Sequence, residues 1–255
     1  MVYEPFLSSR LKIERAKRHI SELNSEITEF LSRKPYKVIT KDAPNAGQCS
    51  GIISVREEVP VHLPLIIGDA VHNLRSSLDL LACDLVRLNG QSAENVYFPF
   101  CLKRDNFEAT IKKRHIDRAA PEVVDIIRTL DPYEGGFFNL RAIHDLDITD
   151  KHIQIIPIYH CVNIPYSSFA DHFPSDTNWF TVLSTPTERV KDGMELFYTA
   201  ITDQIKVNQD LNIAFDIAFA DGQPLERQPI IPTLFQFVSA VEGIIKMFEP
   251  FWHPI

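Results

Sequence analysis

Residues 64–90, PLIIGDAVHNLRSSLDLLACDLVRLNG, constrain this chain more than any other stretch. Ile67, Val71, Leu74, Leu78, Leu81, Leu85 and Leu88 follow alternating four- and three-residue steps. That period draws one apolar seam down a helix of about six turns and excludes a strand, whose period is two. Pro64 suits the first turn, where its missing N–H costs nothing, and Asn89-Gly90 supplies a stop. On the opposite face Asp69, His72, Ser76, Asp79 and Cys83 fall within about 80° of one another at 3.6 residues per turn. Asn73 and Arg75 flank them and Leu80 interrupts them. A solvated face is usually rich in Lys and Glu. This one carries short, directional hydrogen-bonding groups, which suit a packed polar interface or a site.

The other elements follow from the same period counting. Residues 6–33 read as a basic amphipathic helix, 137–151 as a helix rich in Asp and His, and 231–250 as a final apolar helix. Short helices are expected at about 105–114, capped by Asp105, and 121–130, begun by Pro121. Tyr36–Lys41 and Gly51–Glu57 form a strand pair across a long loop, DAPNAGQCSG. Strands are also expected at His152–His160, Trp179–Leu183, Met194–Ala200 and Leu211–Phe219. The predicted fold class is α+β: a helical bundle around a long central helix, with a mostly antiparallel sheet packed against it. The organisation predicted is one domain over 1–255. Its helical part covers about 6–33, 62–151 and 230–252, and its β-rich part about 36–58 and 152–220.

Charge narrows the choice of partner. Residues 1–128 hold 19 Lys/Arg against 17 Asp/Glu, and residues 129–255 hold 7 against 17. A protein that grips long nucleic acid through phosphates should be more basic, so DNA is not expected. A local patch, Lys112, Lys113, Arg114 and Arg118, is a candidate RNA contact. No run of 18 apolar residues occurs and the first residues lack the order of a signal peptide, so neither a membrane span nor export is expected. Four cysteines without zinc spacing read as reduced thiols, consistent with a cytoplasmic location. Ser76, Ser77 and Cys83 lie outside any nucleophile elbow, and P-loop and dinucleotide fingerprints are absent.

Two stretches, IGDAVHNLRSSLDLLACDLV and LRAIHDLDITDKHIQIIPI, resemble a widespread family of uncharacterised bacterial proteins. That family carries a G-D-x-x-H-N-L-R-S-x-L-D-H helix, an F-P-[IF] segment and a D-K-H motif before a strand. The match falls on Gly68, Asp69, His72, Asn73, Arg75, Ser76, Leu78 and Asp79, then Phe98-Pro99, then Asp150, Lys151 and His152. The central helix also resembles, more weakly, the HEPN group, many of whose members are metal-independent ribonucleases with an Arg-x(4–6)-His motif in a dimer cleft. That resemblance implies helical architecture, a homodimer and RNA- or defence-linked work. The chain departs from the motif, because Leu80 stands where Arg75 would need its His.

Three readings of the polar face follow. In an acid–base reading Arg75 holds a phosphate with help from Lys151, His72 or His152 moves the proton, and Asp79 orients it. In a metal reading Asp69 and His72 on one helix face His144 and Asp147 on another, each pair one turn apart. Asp150 or His152 would complete a site for iron, manganese or zinc in a hydrolase or oxidase. In the third, the same residues form a hydrogen-bonded network in a non-enzymatic interaction or dimerisation module, and no cofactor is called for.

Overall fold

The computed structural model describes residues 4–42, 48–153, 155, 157–163, 180–182, 191–200 and 214–252. The architecture is α+β, with six α-helices and antiparallel strands among the described residues. The chain divides into two compact units. One comprises Met1–Leu23, Pro64–Ile155 and Ile231–Ile255; the other comprises Asn24–Leu63 and Ile156–Ile230.

The first unit is helical. Its spine is α2 (Leu63–Leu88). The other helices are α1 (Leu7–Ser32, through Leu23), α3 (Phe107–Lys113), α4 (Pro121–Thr129), α5 (Phe138–His152) and α6 (Ile230–Phe248, from Ile231). Along α2, Ile67, Val71, Leu74, Leu78, Leu81 and Leu85 are buried, as the seam predicts. Burying each such side chain contributes about 1.5–3 kcal/mol. Ala70, Ser77, Ala82, Asp84 and Val86 are buried as well, so α2 is covered on more than its seam. Two of these polar groups tie down the start of α1. Ser77 Oγ donates to the Ser9 carbonyl at 3.0 Å, and buried Asp84 accepts the Phe6 amide at 2.9 Å. The helix stops where Gly90 takes φ +69°, a left-handed conformation that costs glycine nothing. Gly90 N–H then bonds the Arg87 carbonyl and Gln91 N–H the Val86 carbonyl, which closes a Schellman cap.

Helix α6 is apolar enough, over Ile230–Phe251 at mean hydropathy 1.4, to cross a membrane by length and composition. Its Leu234, Phe237, Val241, Ile244 and Phe248 are buried, the pattern of a core helix. Asp105 does not cap α3. It sits inside a 3-10 turn, Arg104–Asn106, and Asn106 takes the cap position without a side-chain bond. Pro121 does open α4.

The second unit carries the strands. β1 (Tyr36–Asp42), β2 (Gln48–Val55), β4 (Phe180–Val182) and β5 (Glu195–Ala200) form an antiparallel sheet of order β1-β2-β5-β4. β3 (Pro157–Asn163) and β6 (Ala214–Phe219) pair separately. Tyr36 and Phe215 bring their rings to 3.9 Å, joining the first strand of one sheet to the other pair. The strand expected from His152 begins at Pro157 instead, because α5 continues through His152. Residues 211–213 of the expected last strand lie outside the described residues.

Candidate functional site on the α2–α5 seam

Helices α2 and α5 pack closely at Gly68, where the Asp150 carboxylate occupies the space a Cβ would take. A Cβ at Gly68 would lie 2.3 Å from Asp150 Oδ1, far inside contact distance. With the helices in contact, the polar residues sort into an outer and an inner group.

The outer group is centred on His72. Its Nδ1 lies 3.0 Å from Asp147 Oδ1, and its Nε2 lies 3.3 Å from Ser76 Oγ, one turn further along α2. Asp147 is buried, with its side chain 6% exposed, while His72 is 49% exposed. The other carboxylate oxygen of Asp147 accepts Lys151 Nζ at 2.5 Å. A carboxylate on Nδ1 selects the tautomer with the proton on Nδ1 and leaves the Nε2 lone pair facing Ser76 and solvent. Asp150 stands beside this group. Burial first, then the neighbouring Asp147 and Asp69 carboxylates, push its carboxyl above the usual carboxylate range.

The inner group is centred on Arg75, whose side chain is 12% exposed. Its Nη1 lies 2.6 Å from Asp79 Oδ1 with its N–H bonds turned off that line. Its Nε donates to His144 Nδ1 at 3.4 Å, and its guanidinium lies over the Phe100 ring at 4.4 Å. His144 stacks on the same ring, with centroids 4.6 Å apart. Burial, then the Arg75 and Arg141 cations, hold the His144 imidazole down to about 4. Asp79 Oδ1 accepts the Phe98 amide at 2.8 Å.

These positions correct parts of the sequence reading. Arg75 is no free anion clamp: Asp79, His144 and Phe100 surround it. Asp79 orients Arg75 and the Phe98 backbone, not His72. His152 is exposed at the end of α5, about 140° around that helix from Asp147 at 100° per residue, and does not join the seam. The metal quartet does not converge. His72 and Asp147 bond each other, His144 accepts from Arg75, and Asp69 is exposed. Among the described residues no group of three or more His, Cys, Asp and Glu is arranged to hold a metal.

The basic patch adjoins the far end of the polar face. Cys83 Sγ donates to the Val96 carbonyl, and Asp79 binds the Phe98 amide, so Tyr97 sits between two anchors on α2. Tyr97 is 45% exposed, and the Arg114 guanidinium lies 5.4 Å from its ring centroid. Lys112 and Lys113 are exposed at the end of α3. Arg118 is committed to the Ser92 and Glu94 carbonyls and so holds the loop rather than a ligand. A separate groove of about 140 Å³ between α1 and α6, floored by Ile13 and Ile245, has its rim closed by the Arg10–Glu249 and Lys17–Glu242 ion pairs.

The sequence marked His72 both as a proton mover and, in the metal reading, as a ligand, and marked Asp147 only as a ligand in the metal reading. It set Ser76 aside and gave Phe100 and Tyr97 no role. No local signal pairs Asp147 with His72, because the two residues lie 75 positions apart in the chain. The chain matches no protein-family model, no curated protein and no solved structure.

Proposed function

We propose that the α2–α5 seam is an acid–base site in which His72 takes a proton from a substrate hydroxyl, and that the substrate is single-stranded RNA. In this reading the ribose 2′-OH loses its proton to His72 Nε2 and attacks the adjacent phosphate. The new 2′-O–P bond forms as the P–O5′ bond breaks, the departing 5′-oxygen takes up a proton from water, and His72 returns its proton to solvent. Asp147 orients the imidazole and stabilises it once charged. Lys151, 48% exposed and one turn from Asp147, replaces Arg75 as the cation that meets the phosphate.

The observation that carries the reading is the asymmetry of His72: one nitrogen held by a buried carboxylate, the other presented outward. Support for RNA comes from the other end of the same face. From Ser76 to Cys83 the helix rises roughly 10 Å at 1.5 Å per residue, which brings Tyr97 and the Arg114, Lys112 and Lys113 cations within a few nucleotides of His72. An exposed aromatic beside cations is the arrangement that stacks single-stranded bases.

The test is incubation of single-stranded RNA with purified protein in a chelator. The expected products carry 2′,3′-cyclic phosphate ends, are absent with His72→Gln, and persist with Lys112→Glu/Lys113→Glu at reduced affinity. A second reading, the interaction or dimerisation module, draws on exposed Leu65 and Ile148 flanking Asp69 and Asp147. Leu65→Lys would then dissociate a complex seen by sedimentation while leaving folding intact.

A further inference from the structure

We infer that Ser76 is a covalent nucleophile toward electrophilic acyl and phosphonyl groups, activated by His72 and positioned by Asp147. The inference rests on the reading of His72 as a base and adds a residue and a reaction class to it.

The Ser76 hydroxyl has an unusual partner for a serine within a helix. A serine or threonine within a helix commonly returns its hydroxyl to the carbonyl four residues back. This chain does so at Thr28, Thr110, Thr149 and Ser239. Ser76 instead faces the imidazole of residue 72 at 3.3 Å. The order Ser76 Oγ, His72 Nε2, His72 Nδ1, Asp147 Oδ1 is the order a nucleophile, its base and the base's orienter require. Such a set is defined by geometry and not by position in the chain, so the absence of an elbow motif does not bear on it.

The place of Ser76 within α2 sets the limit of the activity. Ser76 is in mid-helix, where the backbone amides of α2 are already bonded along the helix and so supply no pair of free donors to its Oγ. Each missing oxyanion donor lowers turnover by roughly 10²–10³. Ser76 should therefore react with pre-activated groups and turn over poorly, so a stable adduct, not fast hydrolysis, is the signature. With a fluorophosphonate, the Oγ–P bond forms and the P–F bond breaks. The serine proton passes to His72 Nε2 and leaves with fluoride as hydrogen fluoride.

The experiment treats the full-length protein with a fluorophosphonate carrying a fluorescent reporter and maps the adduct by peptide mass. The expected result is a single adduct on Ser76, absent in Ser76→Ala and formed roughly a hundredfold more slowly in His72→Gln and Asp147→Asn. Labelling that is equal in wild type and His72→Gln overturns the inference, as does labelling of other serines only. If Ser76 stays unlabelled while His72-dependent RNA cleavage persists, Ser76 is no nucleophile and the acid–base reading stands. If Ser76 is labelled in a His72-dependent way and RNA is untouched, the nucleophile stands and the RNA reading falls.

Discussion

His72 Nδ1 and Asp147 Oδ1 lie 3.0 Å apart, and this bond joins the polar face of α2 to a carboxylate buried in α5. Asp147→Asn keeps the volume but offers His72 an amide in place of a carboxylate, and it strips Lys151 of its ion pair. The expected result is a fall in His72-dependent activity by roughly two to four orders of magnitude. The accompanying loss of stability is about 1–3 kcal/mol, the cost of a disrupted buried polar group. Single-turnover rates and urea denaturation measure the two effects separately.

Gly68 and Asp150 are coupled by contact. Gly68→Ala drives a methyl group into the Asp150 carboxylate and is expected to cost about 1–3 kcal/mol as overpacking. Asp150→Ala removes the obstacle, so the double variant should recover most of that loss. A double-mutant cycle by denaturation reads the coupling directly, and additive losses would show that the crowding lies elsewhere.

His144 makes stability depend on pH in a known direction. Its folded value is held down to about 4, whereas the unfolded chain titrates near 6.5. Between these values the unfolded state binds the extra proton, so the His144 contribution is intact above about 6.5 and is lost as pH falls toward 4. Asp150, whose folded value is raised, acts oppositely: its contribution is present below the usual carboxylate range and is lost as pH rises through its folded value. Comparing wild type with His144→Gln isolates the His144 contribution. Denaturation midpoints measured from pH 7 to pH 4.5 should fall more steeply in wild type.

Arg75 separates structure from chemistry. Its guanidinium serves Asp79, His144 and the face of Phe100 together, which a lysine ammonium cannot do. Arg75→Lys is expected to lower stability by about 1–3 kcal/mol. At temperatures where the variant stays folded, its cleavage rate per folded molecule should stay within a few-fold of wild type. A large rate loss with unchanged stability would return Arg75 to the anion-clamp role.

The seam of α2 was legible because burial and helical period are local: the 4-3 spacing from Ile67 to Leu85 fixes which side turns inward. The polar face was legible for the same reason, from Asp69 to Cys83. What each polar residue binds was not, because partners arrive from distant segments. Arg75 looks like an exposed flank until Phe100, brought back by the Phe98–Asp79 bond, lies beneath it. His144 looks like a ligand until it stacks on the same ring. The G-D pair at 68–69 hides a steric fact, since the Asp150 carboxylate from α5 fills the space beside Gly68. Strand edges blurred for a simpler reason: helix α5 runs on through His152, and alternating apolar residues do not say where helical hydrogen bonding ends.

The measurement that tests the central claim most directly is cleavage of a fluorescent single-stranded RNA in excess chelator by wild type and by His72→Gln. The latter should have an unchanged circular dichroism spectrum and melting temperature within a few degrees of wild type. The account predicts time-dependent products with cyclic phosphate ends from wild type and none from the variant. Equal cleavage by both proteins, or cleavage by neither while the protein is folded, would contradict it.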